Sequence, residues 1–504
     1  MPAPIRVLLI ATALAGVLVP AQAGAQASPY ISLDDPRLPL LEHLVARGDV
    51  EDPSPMMRPF RRADAARVLA AADIGGAGPR ADSLIHRLRR EFEDPPDAQW
   101  ELHGRLGAQA YSHPRRDLLH PSGASGLRPY VDLRGEAVFG NLVLVTRPVV
   151  EPRLVDDPDW PGRRDLTVAG RIADAYISAQ FRYGSLFYGQ MDRNWGPVGL
   201  PGIPLSGYGY ERQGLAVEIG TGTIRLSAMA TDLRDEVDSL GRTVHRYYFV
   251  HRLHLRLSRR LSIALWEGVI LAGADRNFET RYRNPLSLSY LANTIGLGDR
   301  GNVILGTDVR WKAFARTTLL AQLALDDFWT DDRDRNRDRW AITVVAEGPL
   351  LASAAWRAFY TQVSSLALRA FNPAENFTDA GVGIGRNFSD QDQLTLRLSL
   401  PVRTQWLLSP ELVLLRQGEG RINDPYPVPD ASGVLATPAL FIGTVERTYR
   451  AAVGLSGRTG PLDLIADAGF HHVVNAGHQE GRTVNRFEGR LQMTLGLSRR
   501  GMLR

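Results

Sequence analysis

The sequence predicts a mainly β protein, a transmembrane antiparallel barrel of about 18 strands preceded by a small helical domain. Three observations carry this. The chain opens on a short apolar leader. From about Trp100 to the end it repeats segments of eight to twelve residues that alternate apolar with polar side chains, the period of strands with one greasy and one wet face. The links between those segments are by turns short and long, as in outer-membrane barrels.

Residues 1–27 read as a secretion signal. Arg6 supplies the positive start, Val7 to Val19 the apolar stretch, and Ala21-Gln22-Ala23 or Ala25-Gln26-Ala27 the small-residue cleavage site. Beyond it no apolar run reaches the roughly 18 residues a spanning helix needs, so any membrane crossing falls to strands. The chain has no cysteine, which fits an oxidising compartment.

Residues 28–97 are patterned for helices. Leu40, Leu41, Leu44 and Val45 share a face, and Leu84, Ile85, Leu88 and Phe92 repeat that spacing with arginines opposite. Asp64 and Asp82 stand near helix starts, where a carboxylate can accept orphan amide hydrogens. About three helices are expected, closed off by Asp94-Pro95-Pro96-Asp97.

Residues 98–504 carry the alternation. Leu102, Leu106 and Ala108 oppose His103, Arg105 and Gln109; Ala175, Ile177, Ala179 and Phe181 oppose Asp174, Tyr176, Ser178 and Gln180. Leu394, Leu396 and Leu398 oppose Thr395, Arg397 and Ser399, and Phe487, Leu491, Met493 and Leu495 oppose Glu488, Arg490, Gln492 and Thr494. Tight turns such as Arg458-Thr459-Gly460-Pro461 contrast with long polar loops at 115–127, 155–165, 274–301 and 326–338. At roughly 22 residues per strand plus turn, the region holds about 18 strands, with 16 or 20 as alternatives. A soluble all-β protein alternates too, but a propeller would show a repeat of about 40 residues, and none is present.

A formal charge of +4, or +3 once Arg6 leaves with the signal, is too mild for a nucleic-acid partner. Lys312 is the only lysine, so nearly all of the 59 basic residues are arginine. Genomic nucleotide bias accounts for that, as does a need for the guanidinium fork that suits carboxylate and phosphate.

The segment Tyr188-Gly189-Gln190-Met191-Asp192-Arg193-Asn194-Trp195-Gly196-Pro197, followed by Gly199-Leu200-Pro201-Gly202-Ile203-Pro204-Leu205-Ser206, resembles the signature of the Wzi family of capsule assembly proteins. Leu41 to Gly48 is similar to that family's first helix and its Arg-Gly turn, and Leu320 to Asp327 to one of its late strands. The resemblance implies a non-enzymatic outer-membrane barrel with a periplasmic helical bundle, which binds or anchors capsular or related exopolysaccharide at the cell surface. The implied partners are an acidic polysaccharide, outer-membrane lipid and lipopolysaccharide, and the barrel assembly machinery; no cofactor is implied.

Candidate contacts for such a glycan are Arg193, Trp195, Arg225, Arg252, Arg256 and Arg310. The Trp195 indole offers a flat face to a sugar ring, or else packs to hold its loop. Arg225, Arg252, Arg256 and Arg310 lie on the wet faces of their strands, where they attract an acidic glycan or are neutralised by Asp174, Glu218, Asp308 and Glu488 in a ladder that holds shape. Asp332, Asp334, Asn336 and Asp338 alternate as in a calcium loop, but Arg337 stands where glycine is required, so a solvated turn is expected. His471-His472 lacks companion ligands at zinc spacing. No Gly-x-Ser-x-Gly, His-Glu-x-x-His or phosphate-loop motif occurs. A porin-like channel for small solutes and a barrel-embedded hydrolase remain as alternatives.

Overall fold

Side chains that alternate along every strand demand a sheet with two different solvents, and the computed structural model supplies one. It describes residues 27–75, 78–93, 100–112, 119, 126–276, 284, 286, 301–327, 338–351 and 353–502. The secretion signal up to residue 26, the 94–97 linker, most of the loops at 115–125 and 277–300, and the acidic segment Asp332, Asp334 and Asn336 lie outside these residues.

Among the described residues eighteen strands form one antiparallel sheet. They are β1 Trp100–Tyr111, β2 Gly126–Phe139, β3 Leu142–Val150, β4 Gly170–Phe181, β5 Gly184–Gln190, β6 Gln213–Gly220, β7 Ile224–Val237, β8 Thr243–Arg256, β9 Leu261–Gly273, β10 Gly301–Phe314, β11 Thr317–Asp327, β12 Arg339–Leu350, β13 Ala354–Val363, β14 Gln391–Val402, β15 Trp406–Gln417, β16 Glu446–Thr459, β17 Leu462–Val474 and β18 Thr483–Gly501. Each pairs with its sequence neighbour. The sheet then closes, because β1 also pairs with β18, Trp100 opposite Gly501 and Tyr111 opposite Arg490. Closure leaves no unpaired edge, which is the condition for strands to cross hydrocarbon.

The faces are inverted relative to a soluble barrel. On β14, Leu394 and Leu396 are 52% and 45% exposed while Thr395 between them is 1% exposed. On β18, Phe487, Leu491, Met493, Leu495 and Leu497 face out, and Glu488 and Thr494 are buried inside. In β4, Asp174, Tyr176, Ser178 and Gln180 point inward and Ile177 and Phe181 outward, as the alternation predicts. A wall that turns leucine outward and buries aspartate has lipid, not water, as its outer solvent.

Short turns such as 140–141, 182–183, 221–223 and 403–405 gather at one end of the barrel, and the long connections at the other. Three helices, α1 Leu38–Arg47, α2 Arg62–Ala70 and α3 Pro79–Phe92, sit at the short-turn end. They form their own apolar cluster, in which Leu40, Leu41 and Leu44 meet Leu84, Ile85, Leu88, Phe92 and Leu407 of β15. Gly48 ends α1 at φ +79°, and its amide and that of Asp49 satisfy the carbonyls of Val45 and Leu44. Asp64 and Asp82 stand in first helical turns but cap neither helix. Asp64 pairs instead with Arg61 and Arg67, and Asp82 accepts from the Gly75 amide at 3.2 Å.

The helices are tied to the wall by polar contacts. The His43 ring lies 2.7 Å from the Ser399 hydroxyl and 3.0 Å from the Ser353 carbonyl. A carbonyl only accepts, so Nε2 carries the proton and the neutral ring accepts at Nδ1 from serine. Arg47 donates to the Ala354 carbonyl at 2.8 Å and Arg87 to that of Arg458 at 3.1 Å.

Candidate functional site

Two long connections fold back into the barrel instead of standing clear of it. In the β5–β6 loop, residues 191–212, the Trp195 amide donates to the Leu205 carbonyl at 2.8 Å and the Gly202 amide to the Asn194 side chain at 2.7 Å. Gln322 of β11 holds this loop to the wall. Its amide nitrogen donates to the Trp195 carbonyl at 3.0 Å and to Asp308 at 2.9 Å, and its oxygen accepts from Ile203 at 2.9 Å. The β13–β14 loop, residues 364–390, lies alongside, with the Ser206 amide donating to the Ile384 carbonyl at 3.0 Å. Arg246 of β8 donates to the carbonyls of Ala374 and Asn376 at 2.6 and 2.9 Å.

Around them Trp195, Ile203, Leu205, Phe377 and Ile384 pack with inward residues of the wall, among them Val143, Tyr176, Phe187, Tyr248, Trp266 and Ile304, in one apolar cluster. The lumen is thus filled by a core. From the short-turn end the N-terminal segment reaches the same core, and Tyr30 and Met57 belong to it.

The six residues singled out in the sequence fall within this filled interior or near its short-turn end. Trp195 is 2% exposed, so its ring packs and offers no face to a sugar. Arg193 is buried with its guanidinium 4.4 Å above the Phe187 ring. Burial pulls its pKa below the ordinary arginine value. Arg252 donates to Asp308 at 2.9 Å and to the Pro55 carbonyl at 3.2 Å. Arg256 pairs with Glu51 at 2.8 Å. Arg310 is buried beside Asp52; against the effect of burial, Arg58 and then Arg310 hold that carboxyl below its usual range. Arg225 is half-buried next to the 221–223 turn. Arg252 and Arg256 are neutralised by Asp308 and Glu51, and both grip the N-terminal segment.

The same logic extends around the short-turn end. Arg134 pairs with Asp174 at 2.8 Å and Glu136 at 3.1 Å, and Arg147 bridges Asp132 at 2.8 Å and Asp34 of the N-terminal segment. Burial alone would raise the Asp34 pKa, but Arg147 and then Arg105 hold it well below the carboxylate range.

A different site opens at the long-loop end. Asp159, Pro161, Tyr210, Glu211, Arg212, Asp232, Arg234 and Asp379 line a cavity of about 230 Å3. Three connections build it: the β3–β4 loop, the end of the β5–β6 loop, and a small hairpin in the β13–β14 loop that pairs Thr378 with Gly383. Asp379 locks the parts together, accepting from the Arg234 amide at 3.0 Å and pairing with Arg212 at 3.3 Å. Arg234 donates in turn to the Pro161 carbonyl at 2.8 Å. Behind Tyr210 the Trp160 ring stands edge-on at 4.7 Å, its indole nitrogen buried and, among the described residues, without a hydrogen-bond partner. Carboxylates and guanidiniums nearly balance here, Asp159, Glu211, Asp232 and Asp379 against Arg212, Arg234 and the Arg171 that pairs with Glu211, alongside an aromatic pair, which suits a hydroxyl-rich neutral ligand. Sequence reasoning passed over these residues. The one available signal was Trp160 in Asp157-Pro158-Asp159-Trp160-Pro161, an aromatic set in a rigid polar loop.

With the closed eighteen-strand wall, the cap of three helices and the inward loops in view, the chain was compared with solved structures. Wzi, an outer membrane protein involved in group 1 capsule assembly in Escherichia coli and described as a carbohydrate-binding β-barrel, superimposes with a TM-score of 0.64 over 95% of this chain and 100% of that one, at 13% identity. The chain has the Wzi fold. Porins also match, with OprD of Pseudomonas aeruginosa at TM-score 0.44 and 10% identity over 80% of this chain and 95% of that one, and OccAB4 of Acinetobacter baumannii at 0.44 and 10% over 80% and 98%. No protein-family model and no curated protein matches the sequence. The Wzi fold agrees with the resemblance read from Tyr188 to Ser206.

Proposed function

We propose that this protein is a non-enzymatic outer-membrane barrel that holds a surface polysaccharide, with its helical domain in the periplasm and its long loops outside the cell. The observation that carries the reading is a barrel whose middle is occupied by two inward loops and their apolar core, with a built pocket at its long-loop mouth. A filled lumen serves adhesion better than passage. The pocket, about 230 Å3, is smaller than the roughly 300–1,000 Å3 clefts that enclose a drug-sized ligand, so it takes one unit of a chain. Tyr210 with Trp160 behind it supplies an apolar platform, and Asp159 and Asp232 accept from sugar hydroxyls, while Glu211 and Asp379 are held by Arg171 and Arg212. That charge balance favours neutral sugar units over the acid groups of a polysaccharide.

The test pairs a cell assay with a binding assay. A deletion strain should lose cell-bound polysaccharide, and the purified barrel should retain that polysaccharide on a column. Tyr210→Ala should cut retention at least fivefold with the barrel intact. A deletion strain that keeps its full polysaccharide coat would overturn the reading.

A further inference from the structure

The outer wall carries a feature that neither the lumen nor the pocket explains. On the lipid-facing side of β14–β17, toward the long-loop end, Leu394, Leu396, Leu412, Leu414, Tyr449, Ala451, Phe470 and His472 line a groove of about 440 Å3. At its head two arginines stand directly opposite each other, Arg416 of β15 and Arg447 of β16. Both share the outward face, since Leu412 and Leu414 lead to Arg416, and Arg447 leads to Tyr449 and Ala451. Arg447 is exposed and the Arg416 side chain is 43% exposed.

Like charges directly opposite on neighbouring strands repel. One carboxylate answers them: Asp392 of β14 takes the Arg416 fork, from Nε at 2.9 Å and from Nη2, and also accepts from the Tyr360 hydroxyl at 3.2 Å. Phe441 fixes the same guanidinium from above, its ring centre 4.8 Å away. Arg416 is therefore held in one orientation. Among the described residues Arg447 has no carboxylate partner, so the pair keeps a net positive charge at the boundary between apolar wall and polar loops.

We propose that this face is a binding site for a lipid of the outer leaflet that carries a phosphate head. The phosphate sits between Arg447 and Arg416, taking the forked hydrogen bonds of the Arg447 guanidinium and the Arg416 Nη1 that Asp392 leaves over. An acyl chain fills the groove below, over Leu394, Leu414, Ala451 and Phe470. A zwitterionic head would bring its own cation to two arginines, and a neutral head would leave them unanswered. Charge complementarity thus selects an anionic phosphate head, and the groove selects a chain over a free phosphate.

The test uses the full-length barrel in detergent, titrated with phosphatidic acid or with phosphatidylcholine of identical chains and read by native mass spectrometry. The expected result is at least tenfold tighter retention of phosphatidic acid. Arg447→Ser should remove most of that preference. Ala451→Trp, which fills the groove from an exposed position, should weaken both lipids, and inorganic phosphate should compete poorly. Equal retention of the two lipids, or a preference that survives both substitutions, would overturn the proposal. Both substitutions lie on the exposed wall, and retained strand signal by circular dichroism verifies the fold of each variant.

Discussion

Arg58 and Asn194 exchange both of their backbone hydrogen bonds, at 2.8 and 2.9 Å. One belongs to the segment between α1 and α2, the other to the β5–β6 loop that enters from the opposite mouth. Arg58 is itself anchored, its guanidinium pairing with Glu42 at 2.6 Å and Asp52 at 3.1 Å. The far end of the same loop supplies Tyr210, Glu211 and Arg212 to the long-loop pocket. One pair of backbone hydrogen bonds and the β5–β6 loop therefore link the helices to the pocket.

A barrel bridged in this way should not conduct. Reconstituted in planar bilayers, the protein is expected to be silent, and replacing 194–206 with a short flexible turn should introduce steady current. Sustained conductance of the unaltered protein would favour a channel for small solutes.

The two inward loops touch at Gly385 and Ile203. A Cβ on Gly385 would overlap the Ile203 carbonyl, with backbone on both sides and no flexible side chain to move away. Gly385→Ala should cost about 1–3 kcal/mol as overpacking and loosen the plug. Faster amide exchange in 200–206 would show it, with the wall strands unchanged.

Arg252 and Asp308 test the clamping role of the lumenal arginines. Both are nearly inaccessible, at 3% and 2% exposure. Arg252→Ala leaves Asp308 charged and buried, a loss on the order of 3–5 kcal/mol. The melting temperature should fall, while binding of polysaccharide by the protein that remains folded should hold.

Two groups outside the strands give opposite pH dependences. Burial, with Arg47 nearby, lowers the His43 pKa to about 3. The unfolded chain binds this proton at an ordinary histidine value, so the helix docking His43 supports is complete at neutral pH and weakens as pH falls from about 6.5 toward 3. Exchange of α1 amides against pH measures this, and His43→Gln should flatten the profile. Asp192, in the β5–β6 loop, is pushed up to about 7 by burial. Its contribution is complete below about pH 4 and is lost as pH rises through 7. Asp192→Asn should therefore stabilise that loop at pH 8 relative to the parent and make no difference at pH 4.

The sequence by itself determined the wall. Because consecutive side chains on a strand point to opposite faces, the order Leu394-Thr395-Leu396 fixes which residues share a face, and the leader and the loop asymmetry point the leucine face to lipid. The helical cap was equally legible, from the stripe of Leu40, Leu41, Leu44 and Val45. What only the tertiary structure decided is where the long loops go. Met191 to Ser206 mixes tryptophan, proline, arginine and aspartate with no periodicity, and such a segment reads the same whether it stands in water or fills a barrel. Its inward course depends on partners distant in the chain, Gln322, Ile384 and Arg58. That is why Trp195 is a core residue, why Arg252 is spent on Asp308, and why the mouth pocket assembles from Asp159, Tyr210 and Asp379, three residues that no local pattern connects.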